Sequence, residues 1–69
     1  MRYPNIEAER ARHGMTKLEF SNSIDVTSKT YQNWQESKTE IPASKIVDMV
    51  RLFDVSADYL LGLTANPKT

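Results

Sequence analysis

Residues 14–37 read GMTKLEFSNSIDVTSKTYQNWQES, and the fold turns on them. Thr16 followed three residues later by Glu19 is a capping box, the pairing that satisfies free backbone N–H groups at a helix start. Phe20 and Ile24, four apart, then share one face of that helix. Thr27 is a second capping residue, and in the helix it opens Tyr31 and Trp34 lie three apart on an inward face. Only Asp25 and Val26 stand between Ile24 and Thr27. A link this short makes the two helices cross steeply instead of lying side by side, which predicts a helix-turn-helix unit over about residues 16–35. Val26 must tuck into the crossing, and Ser21 is small enough to let the helices approach.

Outward from this unit the same punctuation recurs. Asn5 is placed to cap a first helix, with Glu7 and Glu9 toward its positive end and Arg10, Arg12 and His13 toward its negative end. Gly14 stops that helix. SKTEIP, residues 37–42, is a loop. Ser44 or Ala43 begins a fourth helix, whose Ile46, Met49, Val50 and Phe53 follow the i, i+3, i+4, i+7 spacing of a buried stripe. Ser56 caps a short fifth helix, ADYLL, and Gly62 ends it. The tail TANPKT, residues 64–69, is expected to fray. β-Hairpin dipeptides are missing. The chain therefore reads as one all-α domain over residues 1–69, a compact bundle of five short helices.

Composition removes several classes of function. The chain has no cysteine and one histidine, His13, which excludes a disulfide and leaves no metal set. The strongest apolar run, Tyr59-Leu60-Leu61, is far too short for a membrane span. The first ten residues, MRYPNIEAER, lack the apolar core of a signal peptide, so a cytoplasmic protein is expected. Nine basic and nine acidic residues cancel. That balance argues against a nonspecific polyanion binder but leaves room for binding through a few placed contacts. No acid–base pair, phosphate loop or cofactor motif is present, so no enzyme, cofactor or small-molecule substrate is expected.

With Tyr31 and Trp34 turned inward, Ser28, Lys29, Gln32 and Asn33 fall on the opposite side of the third helix. Ser28 with Gln32, and Lys29 with Asn33, are i, i+4 pairs that make two adjacent exposed rows. Such tips can read base edges in a DNA major groove, where lysine suits guanine and asparagine or glutamine suits adenine. The opening turns of the second and third helices add free backbone N–H groups suited to phosphates. Exposed Ser, Lys, Gln and Asn are ordinary on any solvated helix. The conjunction of a tight turn, two capped helices and a polar, glutamate-poor third helix points beyond that plain reading.

Three stretches, NIEAERARHGMT, VTSKTYQNWQES and FDVSADYLLGL, together resemble the Cro/C1-type (XRE-family) helix-turn-helix regulators of bacteria and phages over nearly the whole chain. The resemblance implies a lambda repressor-like DNA-binding domain. It implies a sequence-specific transcriptional regulator, a repressor acting as a homodimer on double-stranded DNA with a near-palindromic operator. It places Lys17 on the DNA backbone or a base, and Ser28, Lys29 and Asn33 at base-reading positions with Gln32 close by. Thr27, Lys38 and Thr39 then lie near phosphates. Dimerisation is implied through the end of the domain, at Tyr59, Leu60, Leu61 and Leu63.

The chain departs from the family pattern at several positions. Asp25 stands where a turn glycine is common, and Asp tolerates left-handed backbone better than most residues. Tyr31 replaces a smaller aliphatic residue, so its hydroxyl needs a partner or solvent. Gln35 replaces a glutamate that pairs with a first-helix arginine, which leaves a weaker Gln35–Arg10 hydrogen bond as the expectation. Ser37 replaces a loop glycine. Glu36 and Glu40 flank the reading helix and repel phosphates. These two charges favour an alternative, a protein-interaction module of antitoxin-like or partner-binding type with weak or no DNA binding. His13 reads as a surface residue at a helix end, and Asp54 and Asp58 as solvated caps. Leu60 and Leu61 cannot both be buried on so short a helix, which leaves one of them for a partner.

Overall fold

Three of the helices begin at a side chain that holds their first N–H groups, and each ends where the backbone turns left-handed. The computed structural model describes residues 1–68, which form α1 (Pro4–Arg12), α2 (Lys17–Ser23), α3 (Ser28–Gln35), α4 (Ala43–Phe53) and α5 (Ala57–Leu60). There is no strand among the described residues. The capping box of α2 is complete: the Glu19 amide donates to Thr16 Oγ1 at 3.1 Å and the Thr16 amide to Glu19 Oε1 at 2.8 Å. Thr27 accepts from the Thr30 amide, and Ser56 from the Tyr59 amide, each at 3.1 Å.

The first helix starts differently from the expectation at Asn5. Proline fits the first helical position because its missing N–H has no partner there in any case, so α1 opens at Pro4 after Tyr3. Asn5 is drawn inside the first turn. Its Nδ2 instead donates to the Tyr59 carbonyl at 2.7 Å and ties α1 to α5.

Among the described residues five have positive φ, and one follows each helix: Gly14, Asp25, Ser37, Asp54 and Gly62. The helix ends at Gly14, Asp25, Ser37 and Gly62 share a paired closure in which two amides reach back into the last turn. At the elbow Asp25 N donates to Asn22 O and Val26 N to Ser21 O, at 3.2 and 2.9 Å. After α3, Ser37 N donates to Trp34 O and Lys38 N to Asn33 O, at 3.1 and 2.8 Å. Asp25 and Ser37 thus hold backbone conformations that glycine adopts without steric cost, at φ 58° and 57°.

The core gathers Ile6, Phe20, Ile24, Tyr31, Trp34, Ile46, Met49, Phe53, Val55 and Leu60. Phe20 stands between Tyr31, edge-on at 5.0 Å, and Phe53, stacked at 5.4 Å, so one ring locks α2, α3 and α4 together. Val50 and Val26 are half-buried against this cluster. Ser21 is fully buried, and its hydroxyl donates to Lys17 O at 2.8 Å, so a small polar residue sits where the helices approach.

Two cross-links hold the elbow from outside. Lys45 Nζ on α4 donates to Ile24 O at 2.9 Å and satisfies a carbonyl at the end of α2. Glu7 on α1 accepts from Tyr31 Oη and Gln35 Nε2 on α3, both at 2.9 Å, and also from Arg10 Nε. The expected Gln35–Arg10 bond is therefore replaced by two bonds that meet at Glu7. A carboxylate on the same helix collects the arginine and leaves the glutamine amide nitrogen to donate to it.

The tail also departs from expectation. Pro67 O accepts from Ser56 N at 2.7 Å, and Lys68 Nζ reaches Asp54 O at 2.7 Å and Asp54 Oδ2 at 2.9 Å. Of the segment expected to fray, residues 64–68 fold back over the start of α5, and Thr69 lies outside the described residues.

Candidate nucleic-acid interface

The elbow leaves α2 and α3 as separate helices packed against each other, with the polar side of α3 exposed. On α3, Tyr31 and Trp34 are buried, while Ser28, Lys29 and Gln32 are exposed and Asn33 is half-buried. The helix period alone produces this division, because the two rings and the four polar tips occupy opposite sides. Thr27 and Lys17 are exposed at the first turns of α3 and α2. The Thr27 hydroxyl holds the Thr30 amide and lies 2.9 Å from the Thr30 hydroxyl, so its role in the chain is the helix cap.

Lys17, Ser28, Gln32, Gln35 and Glu36 line one open cleft of about 420 Å³. It joins the start of α2 to the exposed row of α3, so three residues expected at a DNA contact, Lys17, Ser28 and Gln32, share one surface. Lys38 joins them through Glu36: its Nζ lies 2.9 Å from Glu36 Oε1. Gln32 Nε2 donates to the other oxygen, Oε2, at 3.0 Å. The ammonium of Lys38, then the Gln32 amide, hold the Glu36 carboxyl below the usual carboxylate range, and the charge of Lys29 adds to this. Thr39 goes elsewhere. It lines a small pocket with Arg2, Tyr3, Trp34 and Ile41, on the side of the chain's first residues.

Glu36 and Gln35 are the cleft residues that a reading by expected contacts leaves out. Their signal in the sequence is spacing, since Glu36 lies four residues after Gln32 and so shares its face.

At the other end of the bundle Tyr59 is half-buried, and its hydroxyl donates to Glu9 Oε2 at 3.2 Å. Glu9 is only 2% exposed and also accepts two bonds from Arg12, at 3.0 and 2.7 Å. The Arg12 guanidinium holds its carboxyl low, against burial, with help from Tyr59 and His13. Leu60 is fully buried within the chain, Leu61 is half-buried and Leu63 is 74% exposed. The pair that could not both be buried therefore divides, with Leu60 inside the chain's own core. Of the four residues expected at a dimer face, Leu63 alone is largely exposed.

No helix among the described residues is long and apolar enough to cross a membrane. No family model matches the chain. Over 58 residues, 84% of its length, it is 34% identical to YobD of Bacillus subtilis (strain 168), an uncharacterized HTH-type transcriptional regulator. The chain spans about half the length of that relative, 52%. The similarity and the two capped helices around a tight turn agree on a helix-turn-helix domain like that of a transcriptional regulator.

Proposed function

We propose that the chain binds double-stranded DNA sequence-specifically through α3, as a repressor of the Cro/C1 type acting as a homodimer. The observation that carries this reading is the exposed row of Ser28, Lys29 and Gln32, continuous with Lys17 across one cleft. An α-helix fits a B-DNA major groove, and these tips offer both donors and acceptors to base edges. Asn33 reads from the edge of the row, where it is half-buried. Thr27 and Lys38 lie toward the phosphates, which position the helix without reading sequence. Tyr59, Leu61 and Leu63 form the dimer contact, with Leu60 supporting them from the core. A dimer would set two copies of α3 in successive major grooves, about 34 Å apart.

Zero net charge fits this reading only if affinity comes from few phosphate contacts. Mobility shifts on duplexes selected in vitro test it. Lys29→Ala and Asn33→Ala are expected to weaken binding to the selected site by about 1–3 kcal/mol each, and Lys38→Ala to weaken all sequences alike. Unchanged affinity in the first two variants would contradict the assignment of α3. Failure to bind any duplex at low salt, with a specific protein recovered instead, would favour the partner-binding module.

A further inference from the structure

The cleft contains one residue whose charge opposes DNA, Glu36, and it holds two of the side chains that would touch DNA. Its Oε2 accepts from Gln32 Nε2 at 3.0 Å, and its Oε1 meets Lys38 Nζ at 2.9 Å. Both oxygens are engaged, one by a candidate base-reading residue and one by a candidate phosphate-binding residue. We infer that Glu36 is a positioning residue for base readout: its carboxylate fixes the Gln32 amide with Oε1 turned outward, and it competes with the phosphates for the Lys38 ammonium. The inference rests on α3 being the base-reading helix.

The chemistry is directional. An ionised carboxylate only accepts hydrogen bonds, so the end of the Gln32 amide facing Glu36 must be the nitrogen. Lys38 and Gln32 keep that carboxyl below the usual range, so it stays ionised at neutral pH. An unrestrained glutamine can present either end of its amide. With the nitrogen tethered, Gln32 presents an acceptor. In the major groove the exocyclic donors belong to adenine N6 and cytosine N4, whereas guanine and thymine offer only acceptors on that edge. Glu36 therefore biases the base opposite Gln32 toward A or C. It also weakens the Lys38 contact to phosphate, because carboxylate and phosphate share one exposed ammonium.

The experiment is in-vitro selection of bound duplexes by the full chain, with Gln32→Ala, Glu36→Gln, Glu36→Lys and the double variant Gln32→Ala/Glu36→Lys. Circular dichroism establishes that each is folded. Gln32→Ala should flatten one column of the selected site, which in the unaltered chain holds A or C on the strand read. A lysine at 36 only donates, so it captures Oε1 and turns the amide nitrogen outward. Glu36→Lys should then move that same column to G or T, and Glu36→Gln should relax it. The double variant should remain flat there, because the effect passes through Gln32. The dependence of log K on log salt should steepen by up to about 0.9 in Glu36→Gln, as Lys38 is freed to engage its phosphate fully. The inference is overturned if the column is unchanged in both Glu36 variants, or if it changes equally when Gln32 is absent. Selection of no sequence by the unaltered chain would overturn the DNA-binding reading itself, and this inference with it.

Discussion

Tyr31 on α3 donates its phenol to Glu7 on α1 at 2.9 Å, across 24 positions of sequence. Gln35 joins the same carboxylate oxygen at 2.9 Å, so the candidate reading helix is fastened to α1 by two side chains on its buried and half-buried side. Burial pushes the Glu7 carboxyl up, but bonds from Arg10, Tyr31 and Gln35 outweigh it and leave the group below its ordinary value. Tyr31→Phe should cost about 1.5–3 kcal/mol, the usual worth of a hydrogen bond to a charged group. A double-mutant cycle with Glu7→Gln, measured by urea denaturation, should show coupling of at least about 0.5 kcal/mol. Additive effects would mean that the two groups do not act together.

Acid should unfold the domain through Glu7 and Glu9. Both carboxyls lie below their ordinary value in the fold. Such a group stabilises the folded state above its unfolded pKa, near 4.3, and that contribution is lost as pH falls through the lower folded value. Thermal midpoints should stay level from neutral pH to about 5 and fall progressively below that. Glu9→Gln should be less stable at neutral pH and should show a smaller fall. The alkaline side has the opposite sign. Burial, and then Glu7, raise the Tyr31 phenol above its ordinary value. Its contribution is present below about pH 10 and fades as pH rises beyond that.

Ser37 ends α3 at φ 57°, a region that costs an L-residue roughly 1–2 kcal/mol and glycine little. Ser37→Gly should raise stability by up to about 1 kcal/mol, the remainder being lost to the greater freedom of glycine in the unfolded chain. Gly14→Ala should do the reverse. A Cβ at Gly14 meets nothing within 4 Å, so any loss there comes from backbone strain, less the gain from alanine's smaller freedom in the unfolded chain, and not from a clash. A neutral Gly14→Ala would show that the strain is relieved by local movement.

The helix ends could be read from the sequence because their chemistry is local. The Thr16–Glu19 box, the caps at Thr27 and Ser56, and the stops at Gly14 and Gly62 all act within a few residues. The inward placement of Tyr31 and Trp34 followed from helical period in the same way. What escaped the sequence were bonds between distant residues. Asn5 reads as a cap until Pro4 claims the first helical position and Tyr59 O, 54 residues away, takes its amide. Gln35 reads as a partner of Arg10 until Glu7 is seen to stand between them. The tail reads as free until Lys68 reaches Asp54. At the candidate interface, the exposure of Ser28, Lys29 and Gln32 was legible. The engagement of Gln32 and Lys38 by Glu36 was not, because spacing brings residues onto one face without saying which of them bond.

Lys45 Nζ fastens α4 to the carbonyl that closes α2, 2.9 Å away, and so supports the elbow. Lys45→Met keeps the aliphatic stem and removes the bond. It should lower stability by about 1 kcal/mol and speed amide exchange around Asp25 and Val26. Unchanged exchange there would mean that the elbow is held by its own turn alone.

The central claim is that the outward row of α3 meets DNA. It is tested most directly by titrating the isotopically labelled chain with a selected duplex and following backbone and side-chain amide resonances. The largest shifts should fall on Ser28, Lys29, Gln32 and Asn33, with smaller ones at Thr16 and Lys17, and the Gln32 side-chain amide should be among them. Shifts confined to α4 and α5, or none at a duplex concentration that saturates binding, would contradict it.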